Sequence, residues 1–275
     1  MTVEQNVAQH YTHGALEAAI VEALRKSGKD TERLEPDDLA TGDEFHTGGR
    51  EATIAFAEQL PLRPGLRLLD IGSGIGGPAR YFAHHQKCHV TGIDLTDEFV
   101  RVARGLSQRV GLADQVTFVQ GSALELPFPA GSFDGAYMLH VGMNIGDKAA
   151  LFAQVKRVLK PEGFFGLYDV MRIGPGEIVF PVPWATTAAT SFLANDASYR
   201  RLLTEAGFKV VNERERQAYA VEFFARSKAR IAESGLPPLG THIVMGADFP
   251  QKMANVVDAL ERGAIAPVEM IARAV

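Results

Sequence analysis

The stretch LLDIGSGIGGPAR, from Leu68 to Arg80, decides how this sequence is read. An apolar run ending in Asp70 meets a glycine-rich turn, and GGPARYFAHHQ then resumes as a helix. Gly72, Gly74 and Gly77 satisfy a G-x-G-x-x-G dinucleotide spacing, while Gly72, Gly74 and Gly76 satisfy a tighter G-x-G-x-G. Missing side chains let the backbone turn sharply and approach a ligand, and amides at the helix start can hold a carboxylate or phosphate. The glycines alone fit a nucleotide-like ligand, and equally a tight strand-to-helix connection.

Beyond Leu66 the signals alternate. LRLLDIG, CHVTGIDL, VTFVQGSA, SFDGAYMLHV and FFGLYDVMR read as strands, separated by the helical patterns GGPARYFAHHQ, DEFVRVARGLSQRVG and KAALFAQVKRVLKPEG. Alternation of this kind requires right-handed crossovers and a mainly parallel sheet with helices on both faces. Adding KVVNERER and the terminal VEMIARAV gives a Rossmann-like, doubly wound α/β fold with a seven-stranded sheet. Helical candidates at 217–234 and 251–262 would form a cap inserted between the last two strands. The segment 173–195 mixes turn formers with Phe180, Trp184 and Phe192, as expected of an ordered lid over a cavity.

Residues 1–60 read as a helical arm and linker before the main domain at 61–275. GALEAAIVEALRKSG places Leu16, Ile20 and Leu24 on one face and stops at Gly28. The charged KDTERLEPDDLATGDEF then breaks the periodicity and suggests a linker or partly exposed arm, followed by a short helix over 53–60.

Composition narrows the ligand class. With 275 residues and 46% hydrophobic side chains, the chain can bury a large core, and 28 Lys and Arg against 33 Asp and Glu leave a charge of −5. No broad cationic field advertises nucleic acid, so a small molecule is the expected partner. The single cysteine, Cys88, suits a reducing compartment. Neither an apolar run of about 20 residues nor a signal segment is visible, so no membrane insertion and a cytoplasmic location are expected. The eight histidines form no recognisable metal-ligand cluster, so no metal is expected.

Two acids refine the ligand. Asp94 ends the next strand, 24 residues after Asp70, where a carboxylate can accept two hydrogen bonds from a ribose diol. That position does not separate NAD from S-adenosylmethionine. Asp70 itself favours a cationic ligand over an anionic diphosphate.

The blocks LLDIGSGIGG, VTGIDLT, VTFVQGSALELPFPAGSFDGAYMLHV and VKRVLKPEGFFGLYDV, in that order across Leu68 to Val170, resemble the class I S-adenosylmethionine-dependent methyltransferases. The likeness is to the small-molecule group that includes ubiquinone/menaquinone-biosynthesis and sarcosine/dimethylglycine methyltransferases. It implies that Asp70, Gly72, Ser73, Gly74 and Gly76 hold the methionyl end of the cofactor. Asp94 and Leu95 would hold the ribose, while Ser122, Ala123 and Leu139 complete the pocket around the rest of the nucleoside. Ser122 stands where the family more often has Asp, so the adenine contact is expected to be weaker or water-mediated.

Methyl transfer is an in-line displacement needing an aligned nucleophile and a dry site, with no covalent enzyme intermediate. His140, after the strand GAYML, is a candidate to orient the acceptor or take its proton. His46 in FHTGG and Tyr11 in QHYTHG would reach the same cavity from an arm folded over the cofactor. Asn144, Tyr168 and Trp184 are candidate acceptor contacts, the aromatic pair suiting a methylammonium or an apolar group. The expected activity is methylation of N, O or C of a small metabolite, with S-adenosylhomocysteine as product. RNA methylation, noncatalytic S-adenosylmethionine binding and NAD-dependent oxidoreduction are the alternatives, and the added helices could support a homodimer.

Overall fold

The computed structural model describes residues 2–275. Strands β1 (Arg67–Ile71), β2 (His89–Asp94), β3 (Val116–Gln120), β4 (Phe133–Leu139), β5 (Leu159–Arg172), β6 (Phe208–Glu215) and β7 (Ile265–Ala274) form one sheet in the order β3-β2-β1-β4-β5-β7-β6. The first five run parallel, and β7 is antiparallel between β5 and β6. Leu68, Leu69, Asp70 and Ile71 are all buried, because helices cover both faces of a central parallel strand. Strand order reverses between β1 and β4, which makes the carboxyl ends of those strands a ligand crevice.

Helices α4 (Gly77–Gln86), α5 (Asp97–Arg109), α6 (Lys148–Val158) and α7 (Asp196–Glu205) provide the crossovers and flanking layers. At the start of α4 the backbone of Gly76 is left-handed, φ 85°, and Pro78 occupies the first turn, where a missing N–H is harmless. The expected cap lies between β6 and β7, and comprises α8 (Gln217–Ser234), the short α9 (His242–Met245) and α10 (Phe249–Glu261). α9 has no counterpart in the sequence reading, since four residues carry too little periodicity to register. Among the described residues no helix is long and apolar enough to cross a membrane.

The arm departs most from expectation. Besides α2 (Leu16–Lys26) it contains α1 (Val3–His10), missed because only Val7 of that helix is buried and its sequence is mostly polar. The helix expected at 53–60 is α3 (Gly49–Ala57). The charged segment read as a linker is docked: Leu34 and Leu39 enter the core, and Asp43 and Glu44 are buried. Asp43 pairs with Arg80 of α4 at 2.8 Å, both side chains nearly inaccessible. A Cβ on Gly77 would lie 2.1 Å from the Asp43 carbonyl oxygen, so only glycine lets the arm approach the turn this closely. Glu98, at the start of α5, accepts the backbone amides of His13, Gly14 and Leu16, fixing the connection between α1 and α2.

Removing one member of a buried ion pair leaves the other charged and unpaired. Asp43→Asn is therefore expected to destabilise the chain by about 3–5 kcal/mol, measured as a lowered urea midpoint with an unchanged slope.

Candidate active site

The glycine turn is shaped from both sides. Gly72 has φ 68°, and a Cβ there would fall 2.3 Å from Val141, on the loop after β4. Gly74 has φ 53°, lies under the ring of Phe45, and donates its amide to Asp94 Oδ2 at 2.8 Å. Asp94 Oδ1 accepts the Thr96 amide, also at 2.8 Å. A carboxylate has about four lone-pair sites, so these two amides do not exhaust it and it can also accept from a vicinal diol.

Asp70 supplies the complementary group. It is buried and its Oδ2 has no hydrogen-bond partner, while the neighbouring Ser73 hydroxyl is likewise unpaired. Burial pushes the Asp70 carboxyl well above the usual carboxylate range, and the nearby Asp94 adds to the shift. Such a site asks for a positive charge. These residues thus fit a ligand joining a ribose diol to a cationic amine.

Above the strand ends lies a cavity of about 1900 Å³, walled by the arm, the 173–195 segment and the cap. Val7, Trp184, Phe224, Val244 and Met253 contribute apolar wall. Its volume exceeds the roughly 300–1,000 Å³ of a pocket for one drug-sized ligand. Two ligands can share it.

The sequence-predicted residues converge here with three exceptions. Asp70, Gly72, Ser73, Gly74, Asp94, Leu95, Ala123, Leu139, His140, Asn144, His46, Tyr11 and Trp184 all line the cavity. Gly76 does not: it sits behind the turn, where a Cβ would strike the Phe118 ring at 2.6 Å. Tyr168, expected to touch the acceptor, is fully buried and donates its hydroxyl to the Thr47 carbonyl at 3.1 Å, supporting the loop that carries His46. Ser122 is not in the wall either; its hydroxyl bonds Glu4 of α1, which is.

Two histidines meet above Tyr168, with ring centroids 6.0 Å apart. His46 Nε2 lies 3.0 Å from the Gly49 carbonyl and 3.0 Å from the Thr53 hydroxyl. A carbonyl can only accept, so Nε2 carries the proton and Nδ1 keeps its lone pair. Thr53 in turn donates to Glu44, which also receives Arg50. Burial lowers the His46 pKa to about 4, so the ring is neutral at physiological pH.

His140 has the opposite tautomer. Its Nδ1 accepts the Thr47 amide through a long 3.4 Å contact, leaving the proton on a buried Nε2 that has no partner. The proton-accepting role expected of His140 consequently lacks a free lone pair, and His46 is the histidine that has one. His140 instead packs on Tyr168, centroids 4.9 Å apart, with its backbone held at φ 55°.

Tyr11 donates to Asn144 Oδ1 at 3.1 Å, and Asn144 Nδ2 donates to the carbonyls of Trp184 at 2.7 Å and Thr190 at 3.0 Å. One amide joins the arm to the 173–195 segment. Burial raises the Tyr11 phenol above its ordinary range, so it remains a neutral donor. Trp184, 2% exposed, donates its indole N–H to Ser191 and presents ring surface to the cavity.

A depressed histidine pKa has a definite sign in stability. Between about 4 and the unfolded value of about 6.5 the folded chain binds fewer protons, so His46 contributes up to about 3 kcal/mol that is lost as pH falls through that window. Glu44, raised by burial to about 7, works in the opposite direction. The stability of wild type minus that of His46→Gln should therefore decline from pH 6.5 to 4, as read by urea unfolding at each pH.

Residues 69–167 match a family model described as a methyltransferase domain. The sterol 24-C-methyltransferase ERG6B of Gibberella zeae is 34% identical over 131 residues, covering 48% of this chain and 34% of that protein. The match thus spans about a third of the relative's length. Among solved structures, geranyl diphosphate C-methyltransferase from Streptomyces coelicolor A3(2) superposes with a TM-score of 0.72 at 14% identity, over 100% of this chain and 98% of that one. The cyclase SpnF gives 0.66 at 23% identity, covering 100% and 97%. At such identities the likeness establishes the Rossmann-like α/β fold alone, and the proteins that share it are named for different reactions.

Proposed function

We propose that this chain is an S-adenosylmethionine-dependent methyltransferase that methylates N, O or C of an apolar small molecule held beneath the arm and cap. The carrying observation is the placement, on adjacent strand ends, of a buried Asp70 carboxyl whose Oδ2 has no hydrogen-bond partner beside an Asp94 whose two oxygens accept the Gly74 and Thr96 amides. Asp94 would accept both ribose hydroxyls, and Asp70 would hold the methionyl ammonium. The methyl domain match and the sterol relative support the reaction class.

When bound, the cofactor supplies an electrophilic methyl on a sulfonium. The protein's part is alignment, exclusion of water and disposal of the acceptor's proton. The apolar wall would orient the acceptor's nucleophilic atom towards the strand ends. The residues facing that atom would then have to take up the proton that the methylated acceptor gives up. His46, its Nε2 proton held by the Gly49 carbonyl, keeps a lone pair on Nδ1 that would receive the released proton. With so low a pKa, it accepts only once methyl transfer has acidified the acceptor. We place His140, Tyr168 and Asn144 in support of this geometry, and Tyr11 and Trp184 in the roof.

Calorimetry tests the cofactor assignment. Asp94→Ala should weaken S-adenosylhomocysteine binding by about 100-fold, the loss of two hydrogen bonds to a carboxylate; unchanged affinity overturns the ribose role. Burial raises the Asp70 pKa, and a cation beside it favours the ionised form. Binding of S-adenosylmethionine should accordingly tighten as pH rises through the Asp70 titration, and Asp70→Asn should remove that dependence. Transfer of a labelled methyl to a panel of apolar acceptors, with kcat reduced in His46→Gln at unchanged cofactor affinity, completes the test. Tight cofactor binding with no transfer to any acceptor would favour a noncatalytic or cyclase-like use of the fold.

A further inference from the structure

Ser122 follows β3 at the point where the cofactor reading needs a group to accept the 6-amino hydrogens of adenine. Its hydroxyl accepts the Leu124 amide at 3.0 Å and donates its only proton to Glu4 Oε1 on α1. The hydroxyl is thereby fully engaged. The Gly121 amide is bonded to the Asp94 carbonyl at 2.9 Å, which holds the 121–123 turn beside the acid assigned to the ribose.

Two polar groups are left over at this turn. Glu4 Oε2 accepts no hydrogen bond, and the Ala123 amide donates none, among the described residues. Glu4 and Ala123 both line the cavity. A carboxylate acceptor and an amide donor are the complement of the adenine edge, which offers a 6-amino donor and an N1 acceptor. The 6-oxo purine edge reverses both, presenting an acceptor to Glu4 and a donor to the Ala123 amide. Like would then face like in a partly buried site, where unmet polar groups are costly.

We propose that Glu4 supplies the adenine-reading carboxylate that position 122 lacks, so that α1 of the arm is part of the cofactor site. The inference rests on S-adenosylmethionine being the cofactor. Its sequence logic is a relocation: the charge sits 118 residues away in the chain and reaches the turn through the Ser122 hydroxyl.

The test compares S-adenosylhomocysteine with its 6-oxo analogue, S-inosylhomocysteine, by calorimetry on the full chain. Wild type should prefer the adenine form by roughly 100-fold or more. Glu4→Ala should lose roughly 10- to 100-fold in affinity for the adenine form and much less for the oxo form, collapsing that preference. Glu4→Gln keeps an acceptor oxygen and the tie to Ser122, and should lose only a few-fold. The double variant Glu4→Ala/Ser122→Asp should regain both affinity and preference, which also shows that the altered chain is folded. Unchanged affinity in Glu4→Ala, or equal losses for the two ligands, would overturn the proposal and leave Glu4 as an anchor of the arm. Failure of wild type to bind either S-adenosylmethionine or S-adenosylhomocysteine would instead remove the cofactor reading, and this inference with it.

Discussion

The bond from the Gly74 amide to Asp94 Oδ2 ties the turn after β1 to the end of β2, and most of the site follows from that closure. It requires the left-handed backbone at Gly74, which a side chain would strain and which Phe45 then covers. A second tie, from the Gly121 amide to the Asp94 carbonyl, extends the frame to β3. Three neighbouring strand ends are thereby fixed relative to one another, with ligand-facing groups on rigid backbone. Gly72 completes the frame on the other side, where Val141 closes against it from the loop after β4.

The arm turns this open crevice into a chamber, and it is held by polar contacts at chosen points. Asp43 reaches Arg80, Glu98 gathers three amides before α2, Tyr11 meets Asn144, and Glu4 meets Ser122. Buried ion pairs gain little net stability because desolvation opposes the Coulomb attraction. Their value here is registry: each fixes where one part of the arm lands. Gly77 shows the same constraint sterically, since the Asp43 backbone occupies the space its side chain would need.

The central fold was legible because β1, β4 and β5 are buried on both faces and write themselves as continuous apolar runs between glycine and charged turns. The cap was legible too, as helical periodicity between two strands. The arm was not. Asp37, Asp38, Asp43 and Glu44 look alike in sequence, yet the first two are partly solvated and the last two are buried against Arg80, Arg50 and Thr53. Nothing local distinguishes a charge that will be paired from one that will be hydrated. The same limit hid Glu4, whose partner lies across the chain, and the tautomers of His46 and His140, which depend on carbonyl and amide neighbours set by tertiary structure. Tyr168 misled for the opposite reason: it lies in β5 beside Leu139 at the end of β4, but the loop at Thr47 covers it.

Burial ties these features into one electrostatic design. A low-dielectric environment disfavours charge of either sign, so it raises the carboxyl of Asp70 and lowers the imidazole of His46. Burial in the chamber thus drives both groups towards neutrality. The same desolvation strengthens every Coulombic contact made inside it. In the proposed reaction a cationic ligand would favour the Asp70 carboxylate, while a His46 kept neutral by burial would be free to accept a proton. Covering the strand ends with an apolar roof thus serves chemistry as well as stability, because the same burial sets the ionisation of Asp70 and of His46.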